Sequence, residues 1–275
     1  MKNTIYMLDS ISGDQMNSFI ITTSDGHVIV IDGGYAVDAD NLIRRLKEIT
    51  GQEVPHVDAW FLSHLHSDHM TCFLEIVEKH PGTIEFDHVY YNFPSVQFIY
   101  REEAHYDDGM PERFYAALPL FAHKAVIVTA RDTFDFGQAH IECLYSPNPE
   151  LTVNVVNNSS IVLMLSLGGK KILFPGDAGV GEGEKILNFY SGTDKLKADY
   201  VQMAHHGQNG VDRSFYEAVS PRGCLWCTPK WLWDNDAGEG YNTHIWKTIV
   251  VREWMEELGV REHYVMMNGL QILEL

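Results

Sequence analysis

Basic residues are scarce. The 275-residue chain has 20 Lys and Arg against 38 Asp and Glu, a formal charge of −18. So acidic a surface repels phosphate backbones, which argues against long nucleic acid as a partner unless a local basic patch intervenes. The two tight basic groups, Arg44-Arg45-Leu46-Lys47 and Lys170-Lys171, read as solvated faces of a helix and a hairpin. Cysteine is scarce too. Cys72, Cys143, Cys224 and Cys227 are too few for a disulfide scaffold, and Cys224-Leu225-Trp226-Cys227 lacks the second ligand pair of a structural zinc site, so all four read as core residues. No apolar run reaches membrane-spanning length, and the N-terminal Met1–Tyr6 stretch has neither a signal-peptide core nor a cleavage site. A cytoplasmic protein with no membrane partner is expected. Internal repeats and low-complexity segments are absent.

What the chain does have is concentrated in one stretch, Ser63-His64-Leu65-His66-Ser67-Asp68-His69. Three imidazoles and a carboxylate within seven residues are the donors of a transition-metal site. The apolar run at 57–62 before it reads as a buried strand, and 70–78 after it has helical spacing with Phe73, Ile76 and Val77 on one side. The cluster thus falls on a strand-to-helix connection, with Asp68 and His69 at the helix start, where a carboxylate is favoured. His-x-His-x-Asp-His supplies two ligand pairs, enough for two metals.

The rest of the chain supports that frame. Residues 18–23 and 27–31 form a hairpin ending in Asp32-Gly33-Gly34, and a helix follows from about 39 to 49, with Asp38 or Asp40 as its cap and Gly51 at its end. The segment at about 90–135 is the least regular, with a helix near 111–122 and two spare histidines, His105 and His123. Strands return at 141–145, 160–167 and 170–174, the last closing on Pro175-Gly176-Asp177. A short helix at 183–190 precedes a strand at 198–203 that delivers Ala204-His205-His206-Gly207. A helix near 243–258 and two closing strands complete the chain, with Trp226, Trp231 and Trp233 close together, read as core packing or as an aromatic wall beside the pocket.

The His-x-His-x-Asp-His stretch, the strand-borne Gly176-Asp177 and the His205-His206-Gly207 element together resemble the metal-binding signature of the metallo-β-lactamase superfamily, over residues 18–207. The resemblance implies an α/β fold, a four-layer αββα sandwich. It also implies one domain over residues 1–275, with the segment at about 90–135 as an insertion covering the pocket. Two divalent metal ions are implied, zinc or alternatively manganese or iron. His64, His66 and Asp177 would hold the first. Asp68, His69, Asp177 and one of His205 or His206 would hold the second, with Asp177 bridging and Asp32 bracing the loop from behind. Asn157-Asn158-Ser159-Ser160, together with Asn242-Thr243-His244, is similar to the hydrolase domain of competence DNA-uptake channels and to phosphorylcholine esterases. Many superfamily members carry a further metal histidine where this chain has Asn157-Asn158, a departure that argues against lactamase or glyoxalase activity.

The expected chemistry is hydrolysis of a small-molecule phosphoester or phosphodiester by a metal-bridging hydroxide. Asp68 would orient the nucleophile, and the remaining histidine of the 205/206 pair, or His244, would protonate the leaving group. The alternatives are a carboxylic ester, thioester or lactone hydrolase, a nuclease, and a non-catalytic metal-dependent binding module.

Overall fold

The computed structural model describes residues 1–103 and 108–275, so His105 lies outside the described residues. The chain opens with strands β1 (Thr4–Met7), β2 (Ser18–Thr22) and β3 (Val28–Asp32), helix α1 (Ala39–Thr50), strand β4 (His56–Phe61), helix α2 (Ser67–Lys79) and strand β5 (Glu85–Tyr91). Helices α3 (Val96–Glu102) and α4 (Met110–Ala117) follow, then strands β6 (Ala125–Ile127), β7 (Thr133–Phe136), β8 (Ala139–Tyr145), β9 (Val162–Leu167) and β10 (Lys170–Phe174). Helix α5 (Val180–Phe189), strand β11 (Tyr200–Gln202), helix α6 (Arg213–Val219), strand β12 (Gly223–Trp226), helices α7 (Lys230–Trp233) and α8 (Thr248–Glu257), and strands β13 (Glu262–Val265) and β14 (Gln271–Glu274) complete it.

Two seven-stranded sheets result, in the orders β14-β1-β2-β3-β4-β5-β6 and β13-β12-β11-β10-β9-β8-β7. Each is antiparallel on one side and parallel on the other: β3 to β6 run parallel in the first, β10 to β13 in the second. The parallel halves explain why β3 and β4 are close to continuously apolar, since such strands are covered on both faces. Phe19 of β2 meets Phe174 of β10 at 5.1 Å, and Phe61 of β4 meets Phe134 of β7 at 5.7 Å, so the sheets pack face to face. Trp60 packs on Phe73 of α2 on the outer side of the first sheet, and Ile186, Phe215 and Met255 of α5, α6 and α8 join the core cluster on the second. The layering is helix, sheet, sheet, helix, as expected.

Helix α1 runs where its Leu42, Ile43 and Leu46 stripe requires, and Gly51 ends it at φ 70° with its N–H on the Lys47 carbonyl. Asp38 precedes α1 but does not cap it. Its carboxylate instead accepts the N–H groups of Ile11 and Tyr35 at 2.8 and 2.9 Å. The helix expected near 111–122 stops at Ala117 and passes into a 3-10 turn over Leu118–Leu120, because Pro119 has no N–H to continue the α-helical ladder. The one expected from about 243 starts only at Thr248. Asn235 takes the N–H groups of Thr243 and His244 on its carbonyl, and the Asp236 carboxylate takes those of Gly238 and Gly240, so turn bonds replace helical ones. The 90–135 segment carries α3 and α4 after β5 and then edge strands β6 and β7, one for each sheet.

Candidate metal centre

Four parallel-strand ends converge on one spot. β3 ends in Asp32, β4 leads into 63–69, β10 leads into Asp177, and β11 leads into His205 and His206. His64, His69, Asp177 and His206 are each at most 1% exposed, and Asp68 is 6% exposed. Two overlapping groups of donors form: His64, His69 and Asp177, and Asp68, His69 and His206. Asp177 joins them. Its Oδ1 lies 3.2 Å from His69 Nε2, and its Oδ2 lies 3.3 Å from His206 Nε2 and 3.8 Å from His64 Nε2. His206 Nε2 is also 3.1 Å from Asp68 Oδ2 and 3.4 Å from His69 Nε2, while His66 Nδ1 lies 3.0 Å from His64 Nε2.

The donor groups bear on the expected division of ligands at two points. His69 belongs to both groups, because it stands between His64 and His206 rather than on one side. Of the paired histidines, the buried His206 enters the cluster, whereas His205 stays at the rim, 18% exposed in its side chain and 3.9 Å from Asp177. His244 is not in the cluster. Its ring stacks on Trp246 at 3.5 Å and its backbone N–H goes to the Asn235 carbonyl. Trp226 is core, edge-on to Trp233, while Trp231 packs on Trp246. His123 is exposed, and a further group of His56, Asp58 and Asp87 lies half-exposed at the far ends of β4 and β5, its members paired with their neighbours.

A second ring of contacts holds these side chains in place. Asp32 Oδ2 accepts from Asn17 Nδ2, Ser63 Oγ and His69 Nδ1 at 2.7, 2.7 and 2.8 Å, and Oδ1 takes the Ser63 N–H at 2.7 Å. His69 therefore turns Nε2 toward Asp177, the arrangement by which carboxylates orient metal-binding histidines. His206 is set likewise, Nδ1 lying 3.1 Å from the Cys227 carbonyl. Gln202 accepts the Gly176 N–H and donates to the Gly176 carbonyl, fixing the turn that carries Asp177. The 205–207 turn is left-handed throughout, with φ of 50°, 55° and 79°, and a Cβ on Gly207 would lie 2.5 Å from the Trp226 ring. Strain of this kind persists where surrounding structure enforces it. Sequence reading missed Gln15, whose amide donates to Asp68 Oδ2 at 3.0 Å, and Asn17; both lie in an irregular stretch with no pattern to mark them.

The electrostatics suit a cation. Burial alone would depress His69, but Asp177 and Asp32 beside it hold it well above its ordinary value. Burial likewise opposes His206, which Asp177 and Asp68 nonetheless push up to about 9. For Asp177, burial works against the charge, and His69 and His206 overcome it and hold the carboxyl well below the usual range. His64, lacking so strong a partner, is driven well below its ordinary value by burial. Asp177 Oδ1 is fully buried and accepts no hydrogen bond despite its closeness to His69. A buried, unpartnered carboxylate oxygen among imidazole Nε2 atoms whose other nitrogens are already engaged is a donor set that fits divalent metal ions.

The Asn157-Asn158 turn has taken a structural role. Asn158 Oδ1 accepts the N–H groups of Gly179 and Glu182 at 3.0 and 3.3 Å, and the Ser160 hydroxyl accepts that of Asp177 at 3.1 Å. Glu182, in the first turn of α5, is fully buried, and neither of its oxygens accepts a well-formed hydrogen bond. The Ser160 N–H beside it is already given to the Asn157 carbonyl, so burial pushes the Glu182 carboxyl well above 4.5. The folded chain thus keeps a proton that the unfolded chain releases above about pH 4.5, and stability is lost as pH rises beyond that value. Glu182→Gln is expected to raise the unfolding free energy by about 1–3 kcal/mol at pH 8, with the gain fading toward pH 4. Urea denaturation at the two pH values checks this; a gain independent of pH would contradict it.

The superfamily model described as the Metallo-beta-lactamase superfamily matches residues 11–218. No curated protein matches the sequence. Among solved structures, the diiron β-hydroxylase CmlA from Streptomyces venezuelae superposes with a TM-score of 0.59 at 14% identity, over 100% of this chain and 54% of CmlA. This chain therefore spans about half the length of CmlA. The metallo-beta-lactamase fold protein YhfI from Bacillus subtilis gives a TM-score of 0.56 at 11% identity, over 98% of this chain and 99% of YhfI. At such identities these structures establish the fold alone. With 208 residues inside the superfamily match and the His/Asp groups gathered at one end of the two sheets, the chain belongs to the metallo-beta-lactamase superfamily.

Proposed function

We propose that this chain is a binuclear hydrolase of small-molecule phosphoesters or phosphodiesters. The observation that carries the binuclear reading is Asp177, whose carboxylate lies within 3.8 Å of the Nε2 atoms of His64, His69 and His206 and so meets both donor groups. In this reading His64, His66 and Asp177 hold one ion, and Asp68, His69, Asp177 and His206 the other. When bound, two such ions acidify water and draw charge from phosphoryl oxygens. The chain's own residues do the rest. Asp68, held by Gln15, would orient the attacking water; His205, at the rim and kept neutral by burial, would take up the proton that water releases and return it to the departing oxygen. The nitrogen and oxygen donors suit zinc, manganese or iron. CmlA is named a diiron protein, which makes iron the first alternative to test.

The phosphoester preference rests on the resemblance to the competence-channel and phosphorylcholine esterase group and on the Asn157-Asn158 turn standing in the region where many superfamily members carry another histidine, with Asn158 bound to the α5 terminus. The charge of −18 favours a small substrate over nucleic acid. The four cysteines are buried and unpaired, which accords with a reducing cytoplasm. Residues 1–275 are taken as one domain because the main core draws on both sheets. The test is kcat/KM on bis(p-nitrophenyl) phosphate against p-nitrophenyl acetate, a thioester and a lactone, before and after chelation. Chelator-sensitive turnover favouring the phosphodiester by at least about tenfold is expected, the discrimination a few well-placed contacts provide. A preference for any carbonyl substrate would overturn the phosphoester reading and keep the hydrolase.

A further inference from the structure

A groove of about 470 Å³ opens beside the metal centre, between the 150–154 loop and the start of α5. That volume is within the range of small-molecule sites. Two of its lining residues adjoin the elements that carry the cluster. Gly179 follows Asp177 by two residues, and Asn209, at the groove's other wall, holds His205 Nδ1 on its carbonyl at 3.3 Å. Gly179 is dictated by packing, since a Cβ there would lie 2.8 Å from Asn158 Oδ1. Gly181 is not. Its backbone is helical, and a Cβ would meet Leu151 at an ordinary 3.4 Å, so neither strain nor crowding demands glycine at this position. What the missing side chain does is leave the groove floor open.

The walls carry no Lys or Arg among the described residues, and the one carboxylate, Glu150, is held by Lys185 Nζ at 2.5 Å. A helix N-terminus would ordinarily attract an anion, but Asn158 Oδ1 already takes two of the N–H groups there. Leu151, Val153 and Val180 offer apolar contact, and asparagines and a threonine offer neutral hydrogen bonding. We infer that this groove receives an uncharged organic substituent of the ester and excludes one bearing a second anionic group. The inference rests on the proposed hydrolysis and narrows its substrate to esters with a single anionic centre.

The test uses the metal-loaded protein and three p-nitrophenyl phosphodiesters whose second substituent is methyl, naphthyl or carboxynaphthyl. The naphthyl ester should exceed the methyl ester in kcat/KM by at least about tenfold, and the carboxylate should remove about tenfold of that gain, in line with the few kcal/mol that such contacts and mismatches carry. Gly181→Leu should collapse the naphthyl-to-methyl ratio, while Gly181→Ala, whose methyl fits, should keep most of it. Val153→Lys, at a position 77% exposed and so safe for folding, should raise kcat/KM for the carboxynaphthyl ester selectively. Equal use of all three esters by the native protein, or ratios unmoved by both Gly181→Leu and Val153→Lys, would overturn the groove assignment. No turnover of any phosphodiester would sink the phosphoester reading instead. The same three substituents as acyl groups of p-nitrophenyl carboxylic esters would then read the groove on its own, and inertness toward that series as well would overturn both.

Discussion

Asp177→Asn should lower phosphodiester turnover by at least about 10²–10³-fold, the loss typical of removing one principal electrostatic contributor in a dry site. The side chain is 1% exposed, and asparagine matches its shape, so the change removes charge with little repacking. The charge is what the site is built on. His69 and His206 are both held up by Asp177 against burial, and His64 and His205 also face its Oδ2 within 4 Å. Without it, two ions would have no shared anionic ligand, and their mutual repulsion would stand uncompensated. The variant should therefore also lose at least one metal per chain. Turnover within tenfold of the native value would remove Asp177 from the bridging role.

Asp32→Asn should weaken metal binding by about 10–100-fold, the usual consequence of disturbing a residue that orients a ligand. Asp32 is fully buried at φ 55°, a conformation asparagine tolerates, so the backbone need not change. Its carboxylate accepts from Asn17, Ser63 twice and His69. An amide has one acceptor oxygen and an NH2 that must face one of these donors, so the set cannot all be satisfied. Asp32→Ala is expected to go further and cost about 3–5 kcal/mol of stability, because it leaves a buried set of donors without an acceptor. Competition with a chromogenic chelator measures the first effect and chemical denaturation the second. Native metal affinity in Asp32→Asn would show that His69 is oriented without it.

These predictions rest on a site whose donors were largely legible in the sequence, because metal ligation demands particular side chains at short spacing. His64, His66, Asp68 and His69 share one loop, and Asp177 and His206 each follow an apolar strand, so residue type and strand ends sufficed to find them. The choice between His205 and His206 was not legible. It depends on a left-handed turn wedged against Trp226 and on the Cys227 carbonyl, and neither is a pattern in sequence. Gln15 and Gln202 were missed for a related reason, since glutamine in a loop or strand carries no signal until its partners are known. In the fold, long apolar strands and the α1 stripe were plain. β1 and β6 were not, being short strands fixed by pairing with β14 and β5 far along the chain, and nor was β7, a four-residue edge strand in a tight hairpin with β8. β5 was obscured by the charged residues at its exposed start.

The most direct measurement is the metal content of freshly purified protein by elemental analysis, with phosphodiester turnover followed through chelation and reconstitution. The account predicts two ions per chain in the His64–His206 cluster, both lost in parallel with activity and both needed to restore it. One ion per chain supporting full turnover, or turnover indifferent to chelation, would contradict the shared role given to Asp177.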